Sequence, residues 1–99
     1  MTIYAKSLFL EHGFTITDTD DGCRAWIKTV SGSNGTFHAV VTDNVGDLPD
    51  HGDIVAKIFP DDGTGGWDCE HIWEDSSDYA DDCLAELIPS LNYYVGIES

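Results

Sequence analysis

Apolar residues recur along this chain with two different periods. Near the start, "TIYAKSLFLEHG" places Ile3, Tyr4, Leu8 and Phe9 at helical spacing between Thr2, a capping residue type, and Gly13. This predicts a short N-terminal helix ended by the glycine. The period then changes. "FTITDTDDG" reads as a strand running into an acidic turn, and "CRAWIKTV" and "TFHAVVTD" are β-forming runs on either side of "SGSNG", a hairpin signal. With all five of those residues in the loop, Ile27 would face Ala39 and Ala25 would face Val41. Cys23, Ala25, Ile27, Phe37, Ala39 and Val41 would then share one face, and Arg24, Trp26, Lys28, His38 and Val40 the other. A two-residue turn would shift this register by an odd number and exchange the faces.

"DIVAKIFP" reads as a further strand closed by Pro60, and "DDGTGG" as a turn, whereas "WDCEHIW" fits either a strand or the approach to a helix. From about Asp75 the helical period returns. Asp75, Ser76 or Ser77 can cap, Asp78 falls in the first turn, and Tyr79, Cys83, Leu84, Leu87 and Ile88 mark a buried side. Pro89 is expected to stop this helix, leaving "NYYVGI" as an edge strand or a docked tail. The pattern predicts an α+β fold: a short antiparallel sheet of three to four strands, with a short N-terminal helix and a C-terminal-half helix packed on it. No repeat or linker divides the chain, so residues 1–99 are read as a single compact domain.

Composition adds one extreme value. Nineteen acids against four bases give a net charge of −15, while 41% hydrophobic and 11% aromatic residues set the chain apart from disordered acidic segments. Fourteen of the acids lie between Asp43 and Glu86, with Lys57 as the only Lys or Arg among them. Such a surface repels phosphates, so nucleic acid and anionic membrane are not expected as direct partners. A cationic protein surface is. Three widely spaced cysteines make a poor disulfide framework, and nothing resembles a signal peptide or a membrane span. The expected setting is therefore cytoplasmic, with free thiols.

Other chemistry finds little support. Before Gly22 the acids Asp18, Asp20 and Asp21 are out of register for a calcium loop, and Lys28 stands where such a loop needs Glu. Cys69 and His71, completed by Cys23, Cys83 or His38, lack zinc-ligand spacing. Neither a nucleophile elbow, a phosphate-binding glycine loop nor a zinc-protease motif is present, so no catalytic residue, metal or cofactor is assigned.

The stretch "HIWEDSSDYADDCLAELI" holds six carboxylates and neither Lys nor Arg. Read as one helix, Asp75, Asp78, Asp82 and Glu86, with Asp81 beside them, form a stripe roughly 16 Å long. Like charges four residues apart cost about 0.2–0.5 kcal/mol per pair, and a sequence shaped by stability alone would interleave bases. The spacing of one helical turn, about 5–6 Å, is close to that of consecutive phosphates. The stripe is therefore the candidate partner-binding surface, extended by Glu70, Glu74, Asp61, Asp62 and Asp68, with Trp67 as an exposed contact anchor. Salt adaptation is the competing reason for such charge, but three Lys to one Arg, eight Ile to six Val and three Cys run against it.

In size, in charge and in "EDSSDYADDCLAE" the chain resembles small phage-encoded anti-CRISPR proteins of the nucleic-acid-mimic kind. The resemblance implies a non-enzymatic inhibitor, present in the cytoplasm of an infected bacterial host, that binds a basic surface of a Cas effector subunit and blocks target DNA. The alternative is an immunity protein that neutralises the basic cleft of a nuclease toxin.

Overall fold

The alternating segments pair into one sheet. The computed structural model describes residues 8–18, 24–43, 54–65, 67 and 70–96. Expectations resting on Thr2, Ile3, Tyr4, Cys23, Asp68 and Cys69 lie outside the described residues. Strands β1 (Thr15–Asp18), β2 (Arg24–Gly32), β3 (Gly35–Thr42), β4 (Ile54–Pro60) and β5 (Trp73–Ser77) form an antiparallel meander in chain order. Helical residues 8–11 (α1) precede β1, and α2 (Ala80–Val95) follows β5 and packs across one face. The α+β expectation fits, but among the described residues the sheet has five strands rather than three to four. The added strand is β5, whose polar "WEDSS" pairs with β4 from Ile58↔Trp73 to Ile54↔Ser77.

Between sheet and helix lies the main core. Ala39, Val41, Ile54, Ala56 and Ile58 meet Cys83, Leu84, Leu87, Leu91 and Val95 of α2. Phe9 of α1 closes one end, stacked on Trp26 and edge-on to Phe14, with ring centroids 5.4 Å apart in both pairs. Gly13, at φ 87°, ends α1 as the sequence predicts.

The β2–β3 register differs from the five-residue-loop expectation by one residue. Ser33 and Asn34 alone make the turn, and Trp26↔Val41, Lys28↔Ala39 and Val30↔Phe37 are the facing pairs. Trp26 therefore enters the main core, while Ala25 and Ile27 join Val40, Phe59 and Trp67 in a smaller cluster on the opposite face. The reason lies at the far end of the chain. The Asn34 backbone N–H donates to the Val95 carbonyl (2.9 Å), its side-chain amide to that of Tyr94 (3.1 Å), and the Ser33 hydroxyl to that of Gly96 (3.2 Å). The hairpin tip thus satisfies carbonyls that the C-terminal end of α2 leaves open.

Gly96 makes this contact possible. Its φ of 90° is left-handed, and a Cβ there would collide with the Ser33 hydroxyl. Gly96→Ala is expected to lower stability by at least about 1–2 kcal/mol, as measured by chemical denaturation. An unchanged midpoint would contradict the docked tip.

Two features of α2 also depart from expectation. Asp75, Ser76 and Ser77 belong to β5 rather than capping the helix, and the N-cap is Tyr79, without a side-chain capping bond. Nor does Pro89 stop the helix, which continues through "NYYV" to Val95. Pro89 sits on the exposed side next to exposed Ala85, whose carbonyl loses its helical donor where water can replace it. An interior proline costs about 3 kcal/mol. Burying Leu91 and Val95 beyond it returns about 1.5–3 kcal/mol for each side chain, so the longer helix wins.

Candidate functional site

Along β5 and into α2 five acids are exposed, Glu74, Asp78, Asp81, Asp82 and Glu86, while Glu70, also exposed, precedes the strand at its other end. They do not form the single helical stripe expected from the sequence. Glu74 stands on edge strand β5, Asp78 in the connection, and only Asp81, Asp82 and Glu86 on the helix. Asp81 and Asp82 occupy its first turn, where the helix dipole favours negative charge. The Asp81 carboxylate also accepts the Asp82 backbone N–H at 3.0 Å. Glu86 follows Asp82 by four residues on an exposed side that continues through Pro89 to Tyr93. The surface is thus a corner, strand edge to helix, rather than a straight row.

Asp75 stands apart from it. Half-buried and opposite Ala56, it lies on the helix-facing side of the sheet. Burial, with a further contribution from the Asp75 charge, pushes the Cys83 thiol up to about 12. Cys83 is therefore protonated and inert at neutral pH.

Tyr79 and Tyr93 are the residues that sequence reasoning missed. Tyr79, expected on the buried side, is 66% exposed because α2 begins only after it. Tyr93, expected in a strand or tail, is 78% exposed on the helix. Both flank the acids. The only signal for Tyr93 is its eleven-residue distance from Asp82, three helical turns, visible once the helix is carried past Pro89.

Asp61 and Trp67 serve a different arrangement on the sheet face away from α2. His38, 2% exposed, has both ring nitrogens engaged: Nε2 lies 2.7 Å from an Asp61 carboxylate oxygen and Nδ1 2.8 Å from the Thr29 hydroxyl. A carboxylate only accepts, so Nε2 carries the proton, and in the neutral ring Nδ1 accepts from Thr29. The other Asp61 oxygen accepts the Gly63 N–H at 2.9 Å, and the Asp61 N–H donates to the Thr36 carbonyl at 3.0 Å. Trp67, half-buried rather than an exposed anchor, covers this group, its ring 5.0 Å from His38 and 5.7 Å from Phe59. Asp62 accepts from Thr64 in the same exposed turn. The group fastens the 61–65 turn to β3.

The clamp has a pH signature. Hydrogen bonds from His38 and Gly63 hold the Asp61 carboxyl below its ordinary value of 3.8. A depressed folded pKa contributes stability that is present above the unfolded value and lost as pH falls through the folded one. Thermal stability is therefore expected to drop below about pH 4, and Asp61→Asn should lower the neutral-pH midpoint and flatten that acid limb. Parallel pH profiles of parent and variant would contradict the clamp.

Few of the remaining groups offer chemistry. His71, set aside as a zinc ligand for lack of ligand spacing, has its Nε2 3.4 Å from a Glu74 carboxylate oxygen. Among the described residues no group of three or more His, Cys, Asp or Glu is placed to hold a metal ion, and no helix is long and apolar enough to cross a membrane. An open groove of about 350 Å³ between α1 and α2 is lined by Leu8, Leu84, Ala85, Ile88 and Pro89, with His12 and Asp81 as its polar members. Comparison of the chain with protein-family models, curated proteins and solved structures gave no match.

Proposed function

We propose that this chain is a non-enzymatic inhibitor whose acidic corner occupies a basic, nucleic-acid-binding surface of another protein. The anti-CRISPR resemblance gives that partner its most specific form, a Cas effector subunit whose target-DNA site is blocked. One observation carries the reading: Glu74, Asp78, Asp81, Asp82 and Glu86 are all exposed on adjoining elements, and neither Lys nor Arg follows Lys57 anywhere in the sequence. Glu74 has Lys57 opposite it on β4 and His71 3.4 Å away, whereas no Lys or Arg lies on the segment that carries Asp78, Asp81, Asp82 and Glu86. Tyr79 and Tyr93 support the reading further, because arginines that line nucleic-acid channels grip phosphates and stack on bases. Carboxylates and exposed tyrosine rings offer them both contacts.

The test uses purified Cas effector complexes with labelled target DNA. Pre-incubation with the chain should abolish DNA binding at a stoichiometric ratio, and excess DNA should compete with the chain. If no effector is blocked while a nuclease toxin is neutralised, the partner is the toxin cleft and the immunity reading replaces this one. Unfolding of the chain in low salt, with no partner of either kind, would instead identify the charge as salt adaptation.

A further inference from the structure

Among the described residues the sheet ends at β5, the strand that carries part of the acidic corner. β5 pairs with β4 on one side. Among the described residues no strand and no backbone hydrogen bond occupies its other side. Alternate backbone N–H and C=O groups of an edge strand point outward, a template for a further strand. Edges are commonly guarded by Lys, by Pro or by a bulge that twists them away. Here the guard is negative charge: Glu74 and Asp75 lie within the strand, Glu70 precedes it, and Asp78 follows.

That guard is selective. A second copy of β5 laid alongside would bring acid opposite acid, which is unfavourable for cross-strand neighbours. A strand rich in Lys or Arg would meet opposite charge on both faces, because Glu74 projects to the side of Lys57 and Asp75 to the side of Ala56 and α2. We infer that the β5 edge accepts an extended, Lys- or Arg-rich segment of the partner protein as a sixth strand. Backbone pairing holds the segment in place, and the β5 acids with Asp78 select its charge. The inference rests on the acidic-surface reading and adds to it a shape: an extended basic segment rather than any basic patch.

Two peptides of equal charge test it, one of five Lys-Thr repeats and one of five Lys-Pro repeats. The first can lie flat as a strand. The second cannot, because proline lacks the N–H and favours a polyproline conformation. At low salt the Lys-Thr peptide should bind at least about tenfold more tightly, a difference of about 1.4 kcal/mol. It should also slow hydrogen exchange at alternate amides of residues 73–77 by a similar factor. Equal binding of both peptides with unchanged β5 exchange would overturn the edge pairing and leave the acidic-surface reading standing. Failure of both peptides to bind would also overturn it, and the effector–DNA assay would then decide the broader reading independently.

Discussion

Replacing Asp78, Asp82 and Glu86 together with Lys is expected to abolish inhibition while leaving the fold intact. All three side chains are exposed, and among the described residues none is seen to hold two elements together by a hydrogen bond. Placed against a basic channel, the reversed charges oppose like charges, a penalty of several kcal/mol; ~3 kcal/mol corresponds to a loss of more than ~100-fold in affinity. The stability terms are smaller and of mixed sign. Lys at position 82 opposes the helix dipole by about 0.3–1 kcal/mol, while relief of the −15 self-repulsion acts the other way. Circular dichroism and thermal melts should therefore match the parent closely. A folded reversal variant that still inhibits would place the contact elsewhere.

The second large effect concerns the half of α2 beyond its proline. Leu91→Ala should destabilise the protein by about 2–5 kcal/mol, because Leu91 is 1% exposed and packs in the main core. Were Pro89 the end of the helix and Leu91 part of an open tail, the same change would fall within about 0.5 kcal/mol. Urea denaturation separates the two outcomes. Leu87→Ala, on the near side of Pro89, is the matched control.

The two cases show where the sequence speaks and where it does not. Strands β2, β3 and β4 are legible because Trp26, Ile27, Val40, Val41, Ile54 and Ile58 sit in β-forming runs, although only β4 alternates in burial, residues 25–27 and 38–41 being buried on both faces of the sheet. β5 is harder to see. Its Glu74, Asp75, Ser76 and Ser77 have the composition of a helix start, and only pairing with β4 makes them a strand. The hairpin register was open for a related reason. Ser33 and Asn34 are turn residues in any register, and the carbonyls that fix them belong to Tyr94, Val95 and Gly96, some sixty positions away. Pro89 misleads because its local cost is visible in sequence, while the burial of Leu91 and Val95 that outweighs it is a tertiary effect.

The acidic corner was only partly legible. That Asp81, Asp82 and Glu86 are exposed follows from the apolar spacing of Cys83, Leu84 and Leu87 on the same helix, whereas Asp78 precedes the helix. Their arrangement around a bend does not, since it depends on where β5 ends. Asp61 illustrates the opposite limit. As an acid beside an acidic turn it reads as surface charge, yet it serves buried His38, and nothing in the local pattern links residues twenty-three positions apart.

The most direct measurement follows association of the chain with a basic effector surface over a range of ionic strength, for the parent and for a variant carrying Asp78→Asn, Asp82→Asn and Glu86→Gln. Attraction between the corner and a basic channel is screened over about 8–10 Å at physiological salt. The parent's association rate should therefore be fast at low salt and fall steeply as salt rises. The neutralised variant should associate more slowly, with a shallower dependence and weaker DNA blockade. Identical association rates and identical salt slopes for the two proteins would contradict the claim that this corner is the functional surface.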